Sequence, residues 1–160
     1  MYCIECGNKL IEKYLDKEGI IPFCTRCNEF RFPLYNVAVS MIVINKETSK
    51  ILLIKQYGKD RNILVAGYVS KGEALEDAVK REIKEETNMT VSSIKYNRSE
   101  YFAPSNTLMC NYTVLVDNDK ELKVNEEIDS YNWYLKEDAR KQIMPNSLAS
   151  KFLNAYLDEE

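Results

Sequence analysis

The stretch GYVSKGEALEDAVKREIKEETNM, from Gly67 to Met89, decides how this chain folds. A glycine turn and Glu73 lead into a segment of helical periodicity, on which Arg81, Glu82, Glu85 and Glu86 crowd into two turns. At about 100° per residue from Leu75, Val79 falls at about 40° and Ile83 at about 80°, which marks the stripe that faces a core. Glu86 falls at about 20°, inside that stripe, with Glu82 at about 340° and Glu85 at about 280°, beside Ala78. Glu76, Asp77, Lys80 and Lys84 lie on the opposite, solvated side. The helix therefore carries an acidic cluster at the edge of its buried face, where desolvation and mutual repulsion both oppose ionisation. A divalent cation relieves both, and hard Mg²⁺ or Mn²⁺ is held by a few carboxylates together with substrate phosphate and water. The plainer reading is a Lys/Glu-rich surface helix with i,i+4 pairs. It fits poorly, because Glu82 and Glu86 are like charges at that spacing and destabilise each other.

These residues resemble the Nudix hydrolase signature: a glycine, five residues, a glutamate, seven residues, then Arg-Glu-apolar-any-Glu-Glu-any-Gly-apolar. Gly67, Glu73, Arg81, Glu82, Ile83, Glu85, Glu86 and Met89 match it in type and spacing. Asn88 stands at the second glycine, a helix C-cap position whose left-handed conformation suits asparagine next after glycine. The resemblance implies an α+β fold, an α/β/α sandwich around a mixed sheet, and Mg²⁺- or Mn²⁺-dependent hydrolysis of a phosphoanhydride. It assigns metal ligation and activation of water to Glu82, Glu85 and Glu86, with Glu82 and Glu86 foremost as ligands and the backbone of Gly67 as a further one. Arg81 is implied as catalytic support, orienting the glutamates by pairing with Glu73. Glu127 lies just before Ile128 and six residues before Trp133, where related enzymes recruit another ligand or base. Taken alone, it reads equally as an exposed acid in the turn Asn125–Glu127.

A second pattern sits at the start of the chain. Cys3 and Cys6 form one CxxC pair, Cys24 and Cys27 another, and seventeen residues lie between them, the spacing of a zinc ribbon. The sequence has no histidine, so a tetrahedral site here is Cys₄, closed and therefore structural. A redox dithiol and two disulfides are the competing readings; ribbon spacing and a cytosolic type of composition favour Zn²⁺. Cys110, in an apolar strand-like run, reads as a small core residue.

The expected division is a ribbon over 1–33 and a Nudix domain over 34–160. Ile11–Tyr14 and Ile20–Phe23 read as short ribbon strands. Val37–Asn45, Lys50–Tyr57, Asn62–Tyr68, Val91–Phe102, Thr107–Val116 and Ile128–Leu135 read as strands of the larger domain. Helices are expected from about Glu73 to Thr87, over Lys136–Gln142, and over Ser147–Leu157 with Ser147 or Asn146 as N-cap. A net charge of −3 and a pI near 5.3 give no general attraction to nucleic acid, an RNA end being the one exception left open. The opening MYCIECGNK is neither a signal nor a transit peptide, and no apolar run reaches membrane-spanning length, so a cytoplasmic location is expected.

A ribbon ahead of a Nudix domain resembles the NADH pyrophosphatase branch. Enzymes of that branch carry Ser-Gln-Pro-Trp-Pro-Phe-Pro-any-Ser-Leu-Met after the signature. The segment Ser99–Met109 aligns with it in length but keeps only Ser99, Leu108 and Met109, with Phe102 where tryptophan is expected. Full-length members also have an additional N-terminal domain without a counterpart in these 160 residues. The resemblance implies NADH or NAD⁺ as the nucleotide substrate and a homodimer as the assembly. By the same resemblance Tyr68 stacks on a base or nicotinamide ring, and Tyr101 and Phe102 line the same pocket; ordinary strand packing accounts for all three as well. Two other readings stand beside it. One is a Nudix hydrolase of ADP-ribose or noncanonical nucleoside triphosphates; the other is a non-catalytic module that binds a nucleotide or RNA end, which has no need of an intact Glu82/Glu85/Glu86 set.

Overall fold

A computed structural model describes residues 1–159. The chain separates into two compact units, Met1–Tyr35 and the segment from Asn36 onward. In the first, β1 (Ile11–Leu15), β2 (Gly19–Cys24) and β3 (Glu29–Phe30) form an antiparallel sheet in that order. The two-residue β3 had no sequence signal, being too short to show alternation. Among the described residues, only Cys3, Phe23 and Cys24 of this unit are buried, so it has almost no apolar core.

The second unit contains β4 (Asn36–Asn45), β5 (Ile51–Gln56), β6 (Val65–Tyr68), α1 (Leu75–Thr87), β7 (Val91–Phe102), β8 (Thr107–Val116), β9 (Ile128–Tyr134), α2 (Lys136–Gln142) and α3 (Leu148–Asp158). Its sheet runs β7-β8-β4-β5-β9, with β6 also paired to β4. The β4–β8 ladder is parallel and the others antiparallel, making the sheet mixed. The apolar run of β4 is buried on both sides because alternate residues serve two cores. Val39, Met41 and Val43 pack with Leu52, Ile54 and the α1 residues Ala78, Val79 and Ile83. Ile42 and Ile44 pack with Ile51, Leu53, Ala139, Phe152 and Leu153, from β5, α2 and α3. The result is the expected α+β sandwich, α1 on one face and α2 and α3 on the other.

One expected strand is shorter. Asn62 and Ile63 make isolated bridges instead of extending β6. Asn62 donates through Nδ2 to Gln142 O at 3.0 Å and accepts from Met144 N at 2.9 Å, so it is tied to the end of α2. The α3 N-cap is Ser147, which closes a capping box with Ser150. Among the described residues, no helix is long and apolar enough to cross a membrane.

Candidate active site

The site starts at Gly67. It pairs with Val39 in the β6–β4 ladder, which turns its α-carbon toward α1. A β-carbon there would lie 2.0 Å from Cδ of Glu82, so only glycine lets that carboxylate pack onto the strand. Asn88 closes α1 at φ 58°, its N–H on Lys84 O at 3.0 Å, the left-handed cap that places glycine or asparagine there.

Arg81 joins the loop to the helix. Its Nε donates to Glu73 Oε1 at 2.7 Å and Nη2 to Glu73 Oε2 at 2.9 Å, a bidentate pair. Nη2 also reaches Tyr68 O at 3.0 Å, while Nη1 reaches Glu82 Oε1 at 2.7 Å and Glu85 Oε2 at 3.1 Å. The guanidinium, helped by the Ser70 N–H, holds the Glu73 carboxyl down at about 2.

The signature glutamates differ in their surroundings. Glu86 is 4% exposed and Glu82 9%, whereas the Glu85 side chain is 58% exposed. Glu86 accepts from Gln56 Nε2 at 3.2 Å, and among the described residues no salt bridge reaches it. Burial first, then the charges of Glu82 and Glu127, push its carboxyl up to about 8. Glu127 reaches this neighbourhood because the loop before β9 docks on the end of α1. Lys123 N donates to Thr87 O at 2.9 Å and Asn125 N to Glu86 O at 3.1 Å, satisfying carbonyls that the helix leaves open. The Asn125 side chain then caps Glu127 N at 3.0 Å.

These residues suit a hard divalent cation. They offer carboxyl oxygens, one group buried beside like charges without a cationic partner, whose ionised form a bound ion would stabilise. They are not gathered as a ready cage, since Arg81 draws Glu82 and Glu85 and Gln56 draws Glu86. Sequence reasoning missed Gln56 and Tyr57. Tyr57 Oη donates to Glu127 Oε2 at 2.7 Å, and the only signal in the sequence was a Tyr-Gly turn after an apolar strand.

The three aromatic candidates are not brought together. Tyr68 aligns with Ala38, on the sheet face opposite α1, and is 58% exposed. Phe102, level with Thr107 and Asn36, shares that face. Tyr101, its neighbour in β7, points to the α1 side by the strand's alternation and donates its hydroxyl to Asn106 Oδ1 at 2.8 Å. The strand register thus sets Tyr68 and Phe102 on one face of the sheet and Tyr101 on the other.

In the first unit, Sγ atoms of Cys3, Cys6, Cys24 and Cys27 all lie within 4.8 Å of one another, the one such set of candidate ligands among the described residues. Cys3–Cys27 and Cys6–Cys24 separations are 3.9 and 3.5 Å. A tetrahedron with metal–sulfur bonds of about 2.3 Å has edges of about 3.8 Å, so the set fits a Zn²⁺-sized ion. Arg31 Nε donates to Cys3 Sγ at 3.3 Å and lowers that thiol to about 6. Cys110 is buried in the sheet core, and burial raises its thiol.

Comparison with known proteins bears on the fold and the family. The chain is similar to the NAD-capped RNA hydrolase NudC of Escherichia coli strain SMS-3-5, 30% identical over 155 residues, which is 95% of this chain and 58% of that protein. It thus spans a little over half the length of that relative. A NUDIX hydrolase from Nitrosomonas europaea superposes with TM-score 0.66 at 18% identity, covering 99% of this chain and 91% of that one. The NUDIX domain of Shewanella oneidensis NrtR, complexed with ADP ribose, superposes with TM-score 0.65 at 15% identity, covering 86% of this chain and 93% of that one. The NUDIX domain family model matches residues 34–155, and the chain belongs to the Nudix family.

Proposed function

We propose that the protein is a Mg²⁺- or Mn²⁺-dependent pyrophosphohydrolase of nucleoside diphosphate derivatives, with NADH or NAD⁺ as the preferred substrate, cut to a mononucleotide and AMP. The observation that carries the reading is Glu86, buried under the charges of Glu82 and Glu127 with only the neutral Gln56 amide as its hydrogen-bond donor, while Glu82 packs onto Gly67. Glu82 and Glu86 would hold the metal, with Glu85, Glu127 and the Gly67 backbone completing the set. When bound, the ion supplies charge neutralisation at the non-bridging oxygens and lowers the pKa of a coordinated water. Arg81 keeps the loop and helix in register through Glu73 and Tyr68 O. A carboxylate at Glu86 or Glu127 accepts the proton of the attacking water as the new P–O bond forms and the anhydride P–O bond breaks. The second phosphate leaves as the anion. The rings of Tyr68 and Phe102, exposed on a common face, offer stacking surfaces for a base or nicotinamide. The Cys₄ set would hold structural Zn²⁺.

Similarity to an NAD-capped RNA hydrolase supports a dinucleotide, free or at an RNA 5′ end. The eroded Ser99–Met109 segment favours a second reading, ADP-ribose or a nucleoside triphosphate. Product analysis with NADH, NAD⁺, an NAD-capped RNA, ADP-ribose and a triphosphate panel separates these. Metal-dependent AMP plus a mononucleotide is expected, reduced about 10²–10³-fold in Glu86→Gln as for loss of a charge-stabilising group. Unchanged turnover in that variant removes the mechanism, and ligand binding without any product would leave a binding module.

A further inference from the structure

The turn after β5 makes contacts that the signature does not call for. Tyr57 and Gly58 both have positive φ, 55° and 67°, and Lys59 N closes the turn on Gln56 O at 3.1 Å. A left-handed conformation is unusual for a bulky residue and persists where its surroundings demand it. Three consecutive residues here each engage a different acid. Gln56 donates to Glu86, Tyr57 Oη to Glu127 at 2.7 Å, and Gly58 N to Asp129 Oδ2 at 2.6 Å.

The β5–β9 ladder explains the alignment. Lys55 pairs with Ser130 but Gln56 pairs with Ile128, so Asp129 is an extra residue in β9. Without that bulge Ile128 would stand opposite Tyr57 and Glu127 one place further on. With it, the ladder ends one place nearer Glu127, whose carboxylate Tyr57 Oη reaches, while the expelled Asp129 caps the turn through Gly58 N.

We infer that Tyr57 is a positioning residue for Glu127, its hydroxyl fixing that carboxylate beside Glu86 through the register shift at Asp129. The inference rests on the reading that Glu127 serves the metal site. The ring itself is 66% exposed, so the hydroxyl can be removed with little effect on packing.

The test is a double-mutant cycle over wild type, Tyr57→Phe, Glu127→Gln and the double variant. Mn²⁺ affinity is read from free-ion electron paramagnetic resonance, and kcat and KM from NADH hydrolysis. Tyr57→Phe is expected to weaken Mn²⁺ binding or lower kcat by about tenfold, as for other groups that orient a ligand, with KM little changed. In the Glu127→Gln background the same change is expected to have almost no effect. Equal losses in both backgrounds, or no loss in either, overturn the inference. The Mn²⁺ measurement needs no substrate, so it remains decisive even if NADH proves not to be hydrolysed. If Glu127→Gln alone leaves both readouts at wild-type values, the role of Glu127 itself is overturned.

Discussion

Glu82 packs onto Gly67 so closely that the two residues act as one feature. Replacing Gly67 with alanine puts a methyl group where the Glu82 carboxylate lies, but the backbone there needs no positive φ. The carboxylate is the free end of a flexible side chain, so it moves and the fold survives. Thermal melting of Gly67→Ala is expected to stay within a few degrees of wild type. Its kcat/KM is expected to fall about 100-fold, the cost of displacing a proposed ligand by about 1 Å. Equal activity would mean that Glu82 has no fixed position to lose. The sequence carried half of this feature: the fixed spacing named Gly67 and Glu82, and the strand register supplied the reason. Glu127 was legible only by resemblance, because its approach to Glu86 depends on loop hydrogen bonds from Lys123 and Asn125. Tyr57 was not legible at all, since a one-residue bulge in a distant strand decides what it faces.

Among the elements, α1 and its preceding loop are joined by the Arg81–Glu73 pair. Glu73 has its folded pKa depressed to about 2 from an ordinary 4.5. A depressed carboxylate contributes stability above its unfolded pKa and loses it as pH falls through the folded value. The melting temperature of wild type should therefore exceed that of Glu73→Gln by a constant margin above about pH 5 and converge with it toward about pH 2. A margin that does not change with pH would show that the pair contributes through shape alone. Element boundaries followed local chemistry where it was strong. Strands β7 and β8 end and begin at the Ala103–Asn106 turn as the sequence indicated, and the Ser147 cap fixes α3. The segment 62–64 departed from expectation because Asn62 found its partners in α2, a tertiary preference invisible to periodicity.

For the whole molecule, the two units differ in what holds them together. The unit from Asn36 onward has two apolar clusters, one on each face of its sheet. The Met1–Tyr35 unit buries Cys3, Phe23 and Cys24 and leaves Tyr2, Ile4, Tyr14 and Ile20 exposed, so its apolar core is small and a metal at the proposed Cys₄ site would supply much of its folding free energy. A strong zinc chelator is expected to make residues 1–35 protease-sensitive while the 36–159 fragment persists, as followed by limited proteolysis and mass spectrometry. Resistance of both units after verified metal loss would contradict a metal-dependent ribbon.

The central claim, that the acidic rim of α1 collects divalent ions, has a direct test in a crystal soaked with Mn²⁺ and measured for anomalous scattering. The expected result is a peak about 2.0–2.2 Å from carboxylate oxygens of Glu82 and Glu86, with Glu82 released from Arg81, and no such peak in Glu86→Gln. A saturating soak that leaves Glu82 on Arg81 and Glu86 on Gln56, with manganese bound only elsewhere, would contradict it.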